Sequence, residues 1–181
     1  MNLLFTIHGG EYLVGEAIER LKIKGPPLRV WVPSKDTGID LLVTSHDCKK
    51  TLSLQVKFSR TYNCAVGTDA VGWWQIKQDA LAKSMADYWV LVLPKYDKKK
   101  IFSDNFYFAL SPKDLSKRLE SIHGEPPTNK KGVILPYEMY LTVCGRKVTE
   151  TRSLSKMGTT KDRDFSQYLN NLKEILKPLA Y

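Results

Sequence analysis

The chain is poor in cysteine. Its three cysteines among 181 residues, Cys48, Cys64 and Cys144, are odd in number and far apart, and none belongs to a CxxC or Cys/His spacing. That usage excludes a disulfide framework and a cysteine-based zinc site, and it fits a reducing cytoplasm. Long apolar runs are missing as well. Nothing approaches the ~20 residues of a membrane-spanning helix, and the opening "MNLLFTI" is too short for a secretory apolar region and has no basic stretch before it. A soluble, cytoplasmic protein with no membrane partner is expected. Acids are the scarcer charge, with 19 Asp and Glu against 28 Lys and Arg and a net charge of +9, a balance that favours a polyanionic partner, nucleic acid first.

With no internal repeat or low-complexity tract, 181 residues are most simply one domain, long enough to bury a core without staples. Val14, Ala17, Ile18 and Leu21 recur at helical spacing after Gly9 and Gly10, predicting a helix from about Gly10 to Lys22 that stops before Gly25 and two prolines. "LRVWV" reads as a strand and Pro33 to Thr37 as a loop. Beyond the hairpin described next, "GWWQIKQDALAKS" reads as a second helix and "DYWVLVL" as a buried strand ended by Pro94. "KYDKKK" reads as a solvated loop and "NFYFAL" as a strand. Ser111-Pro112 reads as the cap and first turn of a helix toward Ile122. "VILPYEMYLTV" reads as a strand broken at Pro136, and Phe165 to Leu179 as a terminal amphipathic helix. His8, His46 and His123 share no spacing and are expected at the surface or in turns.

The informative stretch is "GIDLLVTSHDCKKTLSLQVKFSR", Gly38 to Arg60. Alternation on a strand puts Leu52, Leu54, Val56 and Phe58 on one face and Ser53, Gln55, Lys57 and Ser59 on the other. A symmetric turn centred on Asp47 and Cys48 sets Asp40 directly across from Gln55, with Cβ atoms roughly 5 Å apart. A carboxylate, an amide and an ammonium group then converge on one patch.

The order helix, three strands, helix, strand, with "GID" entering the second strand and "QVK" inside the third, resembles the PD-(D/E)xK nuclease superfamily. The glutamine variant is similar to the Mrr-like restriction enzymes, and the leading helix with its glutamate to the archaeal Holliday-junction resolvases. The resemblance implies an α/β, restriction-endonuclease-like αβββαβ core with a mixed central sheet flanked by helices, covering about residues 10–93, with C-terminal additions over about 94–181. It implies a Mg²⁺-dependent DNA endonuclease, Mn²⁺ substituting, that hydrolyses phosphodiester bonds in restriction or in junction and repair processing. Cutting both strands calls for two sites and hence a homodimer.

Mg²⁺ takes hard oxygen ligands in octahedral geometry and keeps positions open for water and phosphate. Asp40 is the expected central ligand and Gln55 a neutral one, while Lys57 stabilises phosphoryl charge or positions water. Gln55 brings no charge, so a further carboxylate is sought on the first helix. Glu11 falls on the stripe of Val14, Ile18 and Leu21 and is the expected third ligand; Glu16 falls on the solvent side. Arg60, Lys77 and Lys83 are the candidate phosphate contacts. Bland alternatives stand beside these: a cross-strand Asp40–Lys57 ion pair, Glu11 serving the helix dipole, and Trp73 and Trp74 as packing rather than base-stacking residues. The competing functions are a non-catalytic nucleic-acid-binding module that keeps the fold and an RNA-directed nuclease.

Overall fold

The first helix begins seven residues ahead of the expected boundary at Gly10. In the computed structural model, helix α1 spans Leu3–Glu19 and runs straight through Gly9 and Gly10. Glycine inside a helix costs about 1 kcal/mol relative to alanine, but Gly10 lets the helix approach the sheet: a Cβ there would press at 3.3 Å on Val56 and Phe58. The structure describes residues 3–34, 38–59, 67–97, 100–152 and 158–180, and the side chains of these except 3–8, 96–97 and 100–104. Arg60 and Cys64 lie outside the described residues; Cys48 and Cys144 are free and exposed.

Strands β1 (Arg29–Trp31), β2 (Leu41–Thr44) and β3 (Thr51–Phe58) form an antiparallel meander. Leu41 faces Leu54 and Thr44 faces Thr51, which is the symmetric register expected from the sequence. The turn closes with Ser45 C=O accepting the Cys48 N–H at 2.9 Å, and Cys48 takes a left-handed φ of 58°.

The segment expected to open a second helix is instead strand β4 (Ala70–Ile76), and only Gln78–Ala82 is helical, as α2. Burial alternates strictly along β4, with Ala70, Gly72, Trp74 and Ile76 inward. Paired aromatic and β-branched residues suit a half-buried strand, and pairing with β7 (Tyr137–Cys144) decides the matter. Strand β8 (Lys147–Glu150), unforeseen in the sequence, completes a three-stranded sheet in the order β4-β7-β8. Trp74 is accordingly core, and Lys77 and Lys83 are the residues flanking α2.

Strand β5 (Tyr88–Asp97) returns to lie parallel to β3, and β6 (Lys100–Leu110) pairs antiparallel with β5. The central sheet is therefore mixed, in the order β1-β2-β3-β5-β6. Of the basic run expected as a loop, Lys95 and Asp97 belong to β5 and Lys100 to β6, with Asp97 opposite Lys100, while Lys98 and Lys99 lie outside the described residues. Helix α3 (Pro112–His123) starts as expected, the Ser111 hydroxyl accepting the Asp114 N–H at 3.1 Å. The terminal segment is not one helix: a 3₁₀ turn at Ser166–Tyr168, helix α4 (Leu172–Leu176) and a second 3₁₀ turn at Lys177–Leu179 are separated at Asn170, whose φ is 52°.

One apolar cluster lies between the central sheet and α1 with α4, and joins Val14, Ile18, Val56, Val92, Leu172 and Leu176. The other lies on the opposite face, where Trp89, Leu91 and Phe108 meet Trp74, Met139 and Leu119. The chain is thus a mixed α/β fold with a mixed central sheet. Among the described residues no helix is long and apolar enough to cross a membrane.

A candidate active site on the β2–β3 hairpin

Asp40 is held from three directions. Its N–H donates to the Leu54 C=O at 2.8 Å, and its Oδ2 accepts the Val56 N–H at 2.6 Å and the Gln55 Nε2. The backbone pairing fixes where Asp40 enters the sheet, and the side-chain contact follows from the register that places it across from Gln55. Gln55 is buried and Asp40 half-buried. Gly38, with φ of 79°, leaves room beside Gln55: a Cβ there would stand 3.7 Å from Gln55 Oε1 and would be strained on the backbone.

Lys57 points to the same face as Gln55, because Val56 between them packs toward α1. Its ammonium lies 5.4 Å from the centre of the Trp89 ring rather than on Asp40, so the described contacts give a cation–π pair in place of the cross-strand ion pair. Its carbonyl accepts the Trp74 indole N–H at 2.9 Å, and two residues on the Ser59 hydroxyl accepts the Trp73 N–H at 2.9 Å. The second sheet thus fixes the exit of β3. Trp89 was not foreseen as a partner of Lys57, since the parallel pairing of Gln55 with Trp89 joins strands separated by a whole excursion of chain.

The structure brings Asp40, Gln55 and Lys57 to one place. Glu11, half-buried, sits one residue after Gly10 on the helix that covers the other face of β3. Glu16 is not on an open face; it is half-buried and ion-paired with Arg20 at 2.6 Å. Among the described residues no three His, Cys, Asp or Glu side chains gather closely enough to hold a metal ion. The donors at the hairpin are one carboxylate and one amide. In type they suit a hard divalent cation once the Gln55 amide turns its oxygen toward Asp40. Lys77 and Lys83 are exposed at the ends of α2.

A second ionisable cluster lies away from the hairpin and corrects the expectation for His123. The His123 side chain is only 9% exposed, its Nε2 3.8 Å from Oε1 of the fully buried Glu150. Burial, with the charges of Arg152 and Arg163 adding to it, pushes the imidazole down to about 4. Burial raises the Glu150 carboxyl, against the Arg152 N–H at 3.1 Å and the Arg163 guanidinium bonded to it. No histidine periodicity marks this cluster in the sequence, because β8 and the end of α3 meet only in the fold.

Comparison of the chain with family models, with curated proteins and with solved structures gives no match.

Proposed function

We propose that the protein is a divalent-metal-dependent DNA endonuclease built on a restriction-endonuclease-like core. The observation that carries this reading is the direct contact of Asp40 with Gln55, with Lys57 next on the same face. The element order supports it: within the central sheet, α1, then β1, β2 and β3, then α2 and β5 keep the succession helix, three strands, helix, strand. The net charge of +9 suits a DNA partner.

In this reading Asp40 and Gln55 hold Mg²⁺, or Mn²⁺ in its place, and Glu11 completes the set from the middle of α1. The metal supplies Lewis-acid activation of a phosphoryl oxygen and of water. Lys57, anchored against Trp89, places a positive charge where the phosphoryl group gains negative charge. The Val56 N–H keeps the Asp40 carboxylate aimed, which limits the reorganisation needed when substrate arrives.

The saturation of Asp40 Oδ2 by two N–H donors also favours a second reading, a DNA-binding module that keeps the fold without the metal. One experiment separates them: supercoiled, linear and four-way-junction DNA incubated with Mg²⁺, Mn²⁺ or EDTA. Nicking or cutting is expected only with a divalent ion. Asp40→Asn, which keeps an acceptor for the Val56 N–H, should lower the rate at least about a hundred-fold while folding is retained. Cleavage in EDTA, or by the variant at the wild-type rate, would refute the metal site.

A further inference from the structure

The face of the central sheet that carries Gln55 and Lys57 continues onto β1, and there it bears an exposed aromatic. Val30 packs toward α1, 3.7 Å from where a Gly15 Cβ would stand, and it pairs with the buried Val43. Trp31 and Arg29 therefore project to the opposite face, the one shared with Gln55 and Lys57. Trp31 is paired with Leu42, two residues from Asp40 on the neighbouring strand, an offset of about 7 Å. Over β5 and β6 this face is closed by the second sheet; over β1 it is open, and Trp31 is 48% exposed.

Its indole is not loose. The Trp31 Nε1 donates to the Thr44 hydroxyl at 3.2 Å, and Thr44 lies opposite Arg29 on the same face. A large ring with a fixed polar handle and a solvent-facing surface is unusual where burial would be worth about 2–3 kcal/mol. An exposed carboxylate beside this face, Asp87, is turned onto the Ser53 N–H and hydroxyl, each at 2.7 Å. Lys57 thus stands above the Asp40–Gln55 pair, Trp31 one step below it, and the exposed Arg29 one step further. Cation, acid–amide pair, aromatic and cation succeed one another at the strand repeat, the pattern that binds a single strand through phosphate contacts and base stacking.

We infer that Trp31 stacks on an unpaired base beside the phosphate held at Asp40, with Arg29 on the next phosphate, so that the substrate is DNA with a single-stranded segment at the cleavage point rather than a continuous duplex. A base inside a duplex is already stacked on its neighbours and offers this ring no face. The inference rests on the proposed nuclease site for the position of the phosphate, but the stacking contact needs neither metal nor cleavage.

The test is therefore made in EDTA. A labelled oligodeoxythymidylate of about 12 nucleotides, within the ~4–16 that such surfaces span, and a duplex of equal length are titrated with protein at low salt and followed by anisotropy. Trp31→Ala should weaken single-strand binding roughly ten-fold or more and duplex binding by less than about two-fold. Trp31→Phe, which keeps a ring, should recover most of the loss. Ile134→Ala, removing another exposed apolar side chain, should change neither. The oligonucleotide should also quench wild-type tryptophan fluorescence more than that of Trp31→Phe, a reading that survives if the alanine variant fails to fold. Equal single-strand affinity in folded Trp31→Ala and wild type, equal losses for both DNAs, or wild type that binds no single strand would overturn the inference. Divalent-independent cleavage with Trp31-dependent binding would instead remove the metal site and leave this contact standing.

Discussion

His123 keeps its imidazole inside the protein only by staying neutral. Unfolded, the ring takes its proton near the ordinary 6.5, whereas folded it does so only near 4. Between those values the unfolded chain binds more protons, so the native state loses stability as pH falls from about 6.5 toward 4. Glu150 acts in the opposite sense: its carboxyl is raised, so its contribution is full at low pH and declines as pH rises through the folded value. Asp47, Asp162 and Asp164 are lowered by hydrogen bonds, from Ser45, Thr159 and Ser166 first, and their share is lost only as pH falls through and below 3.8. The window from 6.5 to 4 therefore isolates the His123 pair. Glu150 is present in both proteins, so the difference reports His123, and His123→Gln is expected to lose about 1–2 kcal/mol less than the wild type over that window. Chemical denaturation at closely spaced pH values measures it, and parallel profiles for the two proteins would mean that His123 is not the group that titrates.

The outer edge of β6 explains why the terminal segment is broken where its apolar spacing predicts one helix. An edge strand presents unpaired backbone groups that invite another chain, and two asparagines occupy them here. Asn170 accepts the Tyr107 N–H on its side-chain oxygen at 3.0 Å. Asn171 accepts the Ala109 N–H at 2.9 Å and donates to the Ala109 C=O at 2.8 Å. Asn170 adopts the left-handed backbone that asparagine tolerates. Asn171→Ala should cost about 2 kcal/mol, two hydrogen bonds with one strand position left open, and should raise light scattering on mild heating; unchanged urea midpoint and scattering would refute the edge role. The same physics decides what could be read in advance. The β2–β3 register, the Asp40–Gln55 contact and the Ser111 cap were legible because each is set within one local element. The β4 strand was not, because "GWWQIKQDALAKS" satisfies a helical period and only its pairing with β7 selects the extended form. Trp31 went unnoticed for a related reason, since its face is defined by α1 covering Val30.

On the scale of the molecule, the last sixteen described residues are not an appendage to a core ending near Leu93. Phe165 is fully buried in the cluster beneath the second sheet, and Leu172, Ile175, Leu176 and Leu179 are buried in the cluster on the α1 side, so this segment closes both faces of the central sheet. It is also tied in by polar contacts, the Lys50 ammonium donating to the Pro178 carbonyl at 2.9 Å and the Val148 N–H to the Ser166 hydroxyl at 2.9 Å. At about 1.5–3 kcal/mol for each large apolar side chain, an upper estimate, these five account for roughly 8–15 kcal/mol of burial. That is as large as the whole net stability of an ordinary domain, about 5–15 kcal/mol. A chain ending at Asp164 is therefore expected to lose cooperative unfolding, bind a hydrophobic dye and expose the edge of β6, whereas Lys50→Ala, which removes the exposed contact to Pro178, should unfold within about 1 kcal/mol of the wild type. Circular dichroism melts of the three proteins decide it. A sharp transition in the shortened chain would mean that α1 and the central sheet fold without their terminal cover.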